Sequence, residues 1–220
     1  MPNINKALIF DASSIITLAL NDLLHILEPL KRKFGGHFFI TEEVKYEVID
    51  KPLQEKRFML EALFIKKLYD DGVLELYKNS HLKEKTMLGN IANLTFISDG
   101  EFIRIMHSGE TSCIALYNEL KIEKKAVVVD ERTTRVLCEA PNNLKRLLEL
   151  KLHRKIHSVE KNYNYFRNIN IIRSSELALM AHKYGFIDLP GKKQEVIMAI
   201  LYAAKFNGCA ISNQEIETLL

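Results

Sequence analysis

Four acidic residues are spaced so that they could act together: Asp11, Glu47, Glu110 and Asp130. Two of them close apolar runs, Ala7-Leu8-Ile9-Phe10 before Asp11 and Ala126-Val127-Val128-Val129 before Asp130. Such runs read as buried strands, and in open α/β sheets ligands sit outside the carboxyl ends of strands, where strand order reverses. Glu110 opens a helical pattern, where free backbone N–H groups favour a carboxylate. Glu47 lies one helical turn beyond Glu43, on the same face. Carboxylates gathered this way repel one another, and a divalent cation resolves the repulsion; hard oxygen ligands select Mg²⁺ or Mn²⁺ over zinc. Each acid also has a plainer role. Asp11 can cap the helix that follows it, Glu110 can serve the helix dipole, Asp130 can cap at its strand-to-helix junction, and Glu47 can be a solvated helix residue.

The elements that must carry these residues follow from periodicity. A strand over residues 7–10 feeds a helix through Ser13-Ser14. A second helical pattern (Leu23, Leu24, Ile26, Leu27, Leu30) stops near Gly35-Gly36, and His37-Phe38-Phe39-Ile40 is a second strand. Thr41 is an N-cap, and Pro52 is expected to close its helix. Residues 53–69 carry a helical stripe, Val73–Tyr77 reads as an edge strand, and Lys78–Gly100 gives no assignable pattern. A helix from Ser108 to about Leu120, a strand at 126–129, a helix to about Glu139 and a last strand at 170–172 come next. Helices near 175–184 and 194–206 and a capping box, Ser212-x-x-Glu215, end the chain. The alternation predicts an α/β fold with three layers, α/β/α, around a mainly parallel sheet. The expected organisation is a domain over residues 1–190 with a helical insertion at about 52–107, and C-terminal helices over 191–220 packed on it.

Composition narrows the field. The 220 residues are 47% hydrophobic and 27% charged with a net charge of +3, which excludes a wholly disordered chain and means that nucleic-acid binding would need a local basic patch. No apolar run reaches the length of a membrane span, and the first 20 residues lack the pattern of a secretory leader. Cys113, Cys138 and Cys209 are far apart and read as reduced, buried thiols, which points to the cytoplasm and no membrane partner. Neither a G-x-x-x-x-G-K-[ST] nor a G-x-G-x-x-G motif is present. A phosphoacceptor receiver domain would need a Lys after its last strand, where Arg173 is a poor substitute. His153-x-x-x-His157 has metal-ligand spacing but lies in a basic run and reads as surface.

The flanks of the four acids carry a resemblance. Phe10-Asp11-Ala12-Ser13-Ser14 resembles the opening D-x-S motif of the PIN-domain nuclease family, and Thr41-x-x-Val44-x-x-Glu47-Val48 resembles its second motif. Ser108-Gly109-Glu110-Thr111-Ser112-Cys113-Ile114-Ala115-Leu116 is similar to the G-E form of the third, and Val129-Asp130-Glu131-Arg132-Thr133-Thr134-Arg135 to the fourth. The segment from Ile171 to Ile187 is similar to the last strand and helix of prokaryotic, toxin-like members. This resemblance implies a metal-dependent endoribonuclease that hydrolyses single-stranded RNA, as a toxin of a toxin–antitoxin pair or as an RNA-processing enzyme. Asp11, Glu47, Glu110 and Asp130 would hold one or two Mg²⁺ or Mn²⁺ ions and carry catalysis. Ser13, Thr134 and Arg135 are candidates to contact a ligand carboxylate or the substrate, and Glu43 and Glu131 are reserve acids. The implied partners are RNA, an antitoxin protein and a second copy of the chain.

Positive charge for RNA is concentrated between Lys145 and Arg167 (Lys145, Arg146, Lys151, Arg154, Lys155, Lys161, Arg167), with Tyr163, Tyr165 and Phe166 as candidate stacking rings. The competing interpretation of that run is a solvated helix face. The stripe over 53–69 suits either a packing or dimer helix or plain core burial. The alternative to catalysis is an RNA-binding or scaffold module on the same fold.

Overall fold

The computed structural model of the chain describes residues 4–78 and 84–219. Its strands in chain order are β1 (Lys6–Phe10), β2 (His37–Ile40), β3 (Glu75–Leu76), β4 (Phe96–Ser98), β5 (Glu101–Phe102), β6 (Lys124–Val128), β7 (His157–Ser158) and β8 (Ile171–Ile172). The helices are α1 (Ala12–Leu20), α2 (Leu27–Phe34), α3 (Glu42–Lys45), α4 (Lys51–Gln54), α5 (Met59–Asp70), α6 (Lys85–Asn93), α7 (Ser108–Glu119), α8 (Arg132–Glu139), α9 (Pro141–Leu152), α10 (Ser174–Lys183), α11 (Lys193–Phe206) and α12 (Asn213–Leu219).

Five strands form one parallel sheet in the order β3-β2-β1-β6-β8. Ala7, Ile9 and Phe10 of β1 and Val127 and Val128 of β6 are buried whichever way they point, as parallel sheets covered on both faces require. The fold is thus the three-layer α/β/α arrangement that the alternation implies. From β1 the chain builds outward through β2 and β3, then returns to the other side of β1 for β6 and β8. Strand order reverses between β1 and β6, and their carboxyl ends open side by side. Gly36 is fixed by the close approach of β2 to β1: a Cβ there would lie 2.7 Å from the Lys6 carbonyl oxygen.

The structure departs from the sequence expectation in three places. Pro52 does not end the helix begun at Thr41. It sits at the second position of α4, which follows a π-helical turn over Tyr46–Asp50, and the first turn of a helix tolerates proline. Residues 52–107 hold more strand than the edge strand expected at 73–77, which is β3: they also carry β4 and β5, which pair outside the main sheet. The segment Lys78–Gly100, its residues 79–83 lying outside the described residues, contributes α6 and β4. The turn between β4 and β5 places Asp99 and Gly100 both at positive φ (50° and 84°), the backbone that an Asp-Gly hairpin supplies. With β7 these two strands make a separate antiparallel sheet, β5-β4-β7.

The C-terminal helices share the main core through Val196 and Ile200 of α11. A smaller cluster gathers Leu201, Ala204, Cys209, Ile211 and Ile216 against Leu179 of α10. The capping box of α12 is formed, Ser212 N–H donating to Glu215 and Glu215 N–H to the Ser212 hydroxyl. All three cysteines are free and buried. Among the described residues no helix is long and apolar enough to cross a membrane.

Candidate active site

Asp11 follows directly from β1, its N–H extending the ladder to the Val128 carbonyl at 2.9 Å. It caps α1: its Oδ2 accepts from the Ser13 N–H at 3.1 Å and from the Ser13 hydroxyl at 2.6 Å. The same Ser13 oxygen accepts from the Asp130 N–H at 3.0 Å, so one hydroxyl joins the ends of both central strands. Asp11 is only 3% exposed. Burial, and after it the charge of Glu110, push its carboxyl from an ordinary value near 3.8 up to about 6.

Glu47 lies in the π-helical turn between α3 and α4. An extra residue in one turn re-aims the side chains that follow, and such turns are frequent at functional sites. The approach of this segment to α7 is fixed by a chain of hydroxyls. Thr41, which caps α3 through the Val44 N–H, bonds the buried Ser112 hydroxyl at 2.7 Å, and Ser112 donates to the Gly109 carbonyl at 2.7 Å. Gly109 stands between the two acids: a Cβ on it would lie 3.3 Å from Glu47 Oε2 and 3.6 Å from Asp11 Oδ1. Glu47 belongs to an exposed position, yet its carboxyl is raised above the ordinary range by partial loss of water and then by the charge of Asp11.

Glu110, in the first turn of α7, accepts from the His107 N–H at 3.1 Å. Partial burial raises its carboxyl, and the charges of Glu131 and Glu47 add to that rise. The loop leading into α7 is held by Asn93, whose side-chain oxygen accepts from the Ile105 and Met106 N–H groups at 2.8 and 3.0 Å. Gly109 and Ser112 lie within the third motif read from sequence, but their positioning roles, and Asn93 altogether, were not singled out there. The only signal for them was the G-E pair itself.

Asp130 is placed differently. It is fully buried, and its Oδ1 accepts from the Ser174 N–H at 2.8 Å while its Oδ2 accepts from the Ser174 hydroxyl at 2.5 Å. Glu131 caps α8 through the Thr134 N–H at 2.7 Å. Thr134 is buried with no partner for its hydroxyl among the described residues. Arg135 is turned away from the acids, bonding Glu139 at 3.1 Å and the Ala210 carbonyl at 3.2 Å. Glu43 is ion-paired with Lys85, which holds its carboxyl below the ordinary range against the effect of burial.

Among the described residues no three His, Cys, Asp or Glu side chains stand close enough together to hold a metal ion. Asp11 Oδ1 and Glu47 Oε2 both lie against Gly109, 3.6 and 3.3 Å from where a Cβ would stand. Comparison of the chain with protein-family models, with curated proteins and with solved structures found no match. The chemistry therefore has to be argued from these residues.

The basic stretch is mostly exposed, with Arg154 paired to Asp99 at 2.7 Å. Two of its three rings are not available to stack on a base. Tyr163 (1% exposed) and Phe166 (0%) fill the core beneath a 3₁₀ turn, Tyr163 against Phe96, and only Tyr165 (47%) reaches solvent.

Proposed function

We propose that this chain is a PIN-like endoribonuclease that hydrolyses single-stranded RNA with the help of Mg²⁺ or Mn²⁺. The observation that carries this reading is the convergence of Asp11 Oδ1 and Glu47 Oε2 over Gly109, at the reversal point of a parallel sheet. Two hard carboxylates suit Mg²⁺, which is usually bound through one or two of them and keeps several waters for substrate phosphate oxygens to replace. Glycine at 109 leaves the space that any larger residue would fill. Burial raises the carboxyls of Asp11, Glu47 and Glu110, and the charges of neighbouring carboxylates add to the rise, a cost that a bound cation would relieve.

A divalent cation bound there lowers the pKa of a water and neutralises charge on the scissile phosphate. Asp11 and Glu47 would hold it, with Glu110 beside them. Ser13 fixes which Asp11 oxygen is engaged in capping and so leaves Oδ1 facing Glu47. The exposed lysines and arginines of residues 145–167, with Tyr165, would attract and follow the RNA backbone. The free, buried cysteines and the lack of a membrane-crossing helix among the described residues support a place in the cytoplasm. The exposed apolar row Leu60, Leu63 and Phe64 on α5 supports a protein partner, an antitoxin or a second copy of the chain.

A second reading, an RNA-binding module without cleavage, is favoured by one observation: no three donors meet as the side chains stand. Incubating purified protein with a single-stranded RNA, with Mn²⁺ or with EDTA, separates the two. The nuclease reading expects Mn²⁺-dependent cleavage that falls at least 100-fold in Asp11→Asn and Glu47→Gln. RNA binding with no cleavage in Mn²⁺ would support the module instead.

A further inference from the structure

Asp130 differs from the other acids in having every polar group engaged by protein. Its N–H donates to Ser13, its carbonyl accepts from the Ala210 N–H at 3.2 Å, and both carboxylate oxygens accept from Ser174. Those partners come from three separate parts of the chain: the start of α1, the start of α10 and the loop between α11 and α12. The Ala210 carbonyl is in turn held by Arg135 and Arg173, at 3.2 and 3.3 Å. Arg173 also pairs with Glu215 of α12 at 2.8 Å.

We propose that Asp130 is not a ligand of the cation but the anchor that joins α10 and the C-terminal loop to the end of the central strands, leaving the cation to Asp11 and Glu47. Three lines support this. First, the residue is 0% exposed, and its backbone and both carboxylate oxygens are already held by Ser13, Ala210 and Ser174. Second, moving the carboxylate towards a cation would strip a buried N–H or hydroxyl of Ser174 of its acceptor, which is costly in the interior. Third, the N-terminus of the ten-residue α10 already supplies the partial positive charge that a buried carboxylate needs. Asp11 contrasts on the point that matters: its Oδ1 lies 3.6 Å from the position of a Gly109 Cβ, which is itself 3.3 Å from Glu47 Oε2.

The proposal rests on the reading of a divalent-cation site, and its test separates the two. Mn²⁺ is titrated into wild-type protein and into Ser174→Ala, Asp130→Asn and Glu47→Gln, with bound Mn²⁺ read from the loss of its free-ion EPR signal. Melting temperatures of the metal-free proteins are measured alongside. The expected result is Mn²⁺ affinity within about twofold of wild type for Ser174→Ala and Asp130→Asn, and at least a tenfold loss for Glu47→Gln. Each anchor variant should melt roughly 2–8 °C lower, the range for losing a helix cap in a chain of this size. Should Asp130→Asn fail to fold, Ser174→Ala alone decides, because loosening the support of a true ligand lowers metal affinity by about 10–100-fold. A tenfold affinity loss in Ser174→Ala, or in a folded Asp130→Asn, overturns the proposal. If wild type takes up no Mn²⁺, the cation reading falls, and the anchor is judged by the double variant of Ser174→Ala with Asp130→Asn. Melting losses that are less than additive support it, and additive losses refute it.

Discussion

At the Asp11 carboxyl, burial and the neighbouring Glu110 charge act in the same direction, and pH should reveal them. Its pKa is near 6 in the folded chain and near 3.8 in a model carboxyl, so between these values the folded state holds a proton that the unfolded state has lost. Stability contributed by this group is therefore present below about pH 4 and lost as pH rises through 6. Raising the carboxyl from 3.8 to about 6 corresponds to about 3 kcal/mol. Asp11→Asn, which can still accept the Ser13 N–H, should melt close to wild type at pH 4 and several degrees above it at pH 7. Equal melting temperatures at both pH values would mean that Asp11 carries no such burden. Glu215 works in the opposite sense. The Ser212 N–H and Arg173 outweigh the effect of burial and hold its carboxyl at about 2 against an ordinary 4.5, so its stabilisation is complete above that ordinary value and is lost progressively as pH falls through 2. At this scale Asp11 was legible in sequence as a cap, and the structure shows that cap in place. The rings of Tyr163 and Phe166 were not legible, because a Tyr-x-x-Phe pair in a basic run reads alike whether the rings face core or solvent.

At the scale of elements, the acids are brought together by what lies between them. The π-helical turn presents Glu47, the hydroxyl chain from Thr41 through Ser112 fixes α3 against α7, and Gly109 keeps the gap open. Gly109→Ala separates stability from binding. Alanine favours a helix by about 1 kcal/mol over glycine, and Gly109 has no positive φ to be strained. The added methyl would crowd Glu47 Oε2 and Asp11 Oδ1. Melting temperature should hold or rise while Mn²⁺ affinity drops at least tenfold in calorimetric titration; unchanged affinity would show that the gap is not the binding space. The strands and helices around the acids could be read from periodicity because each is a buried apolar run or a capped amphipathic stripe. The segment Lys78–Gly100 could not: β4 has three residues and β5 two, too short for a period to register. The Asp99-Gly100 pair was its one sequence signal of a hairpin.

For the whole molecule, the C-terminal helices belong to the same folding unit as the acids. Val196 and Ile200 are buried in the main core, and Ala210 bonds the Asp130 carbonyl. A buried aliphatic side chain is worth about 1.5–3 kcal/mol, and a domain's total stability is roughly 5–15 kcal/mol. A chain ended after Pro190 should therefore lack a cooperative melting transition at 37 °C and above by circular dichroism. A truncated chain melting within a few degrees of full length would show α11 and α12 to be an ornament. The three-layer architecture was legible because strand–helix alternation leaves few topologies. The junction of the C-terminal loop with Asp130 was not, since nothing in sequence spacing brings residue 210 to residue 130.

The measurement that bears most directly on the site is a calorimetric titration of Mn²⁺ into wild-type protein and Asp11→Asn, at pH 7 and at pH 5. Binding at Asp11 and Glu47 requires both carboxylates to be ionised, so protons compete with the cation. The expected result is saturable binding at pH 7, at least tenfold weaker at pH 5, and at least tenfold weaker in Asp11→Asn at pH 7. Absence of binding to wild type at pH 7, or equal binding by Asp11→Asn, would contradict the account.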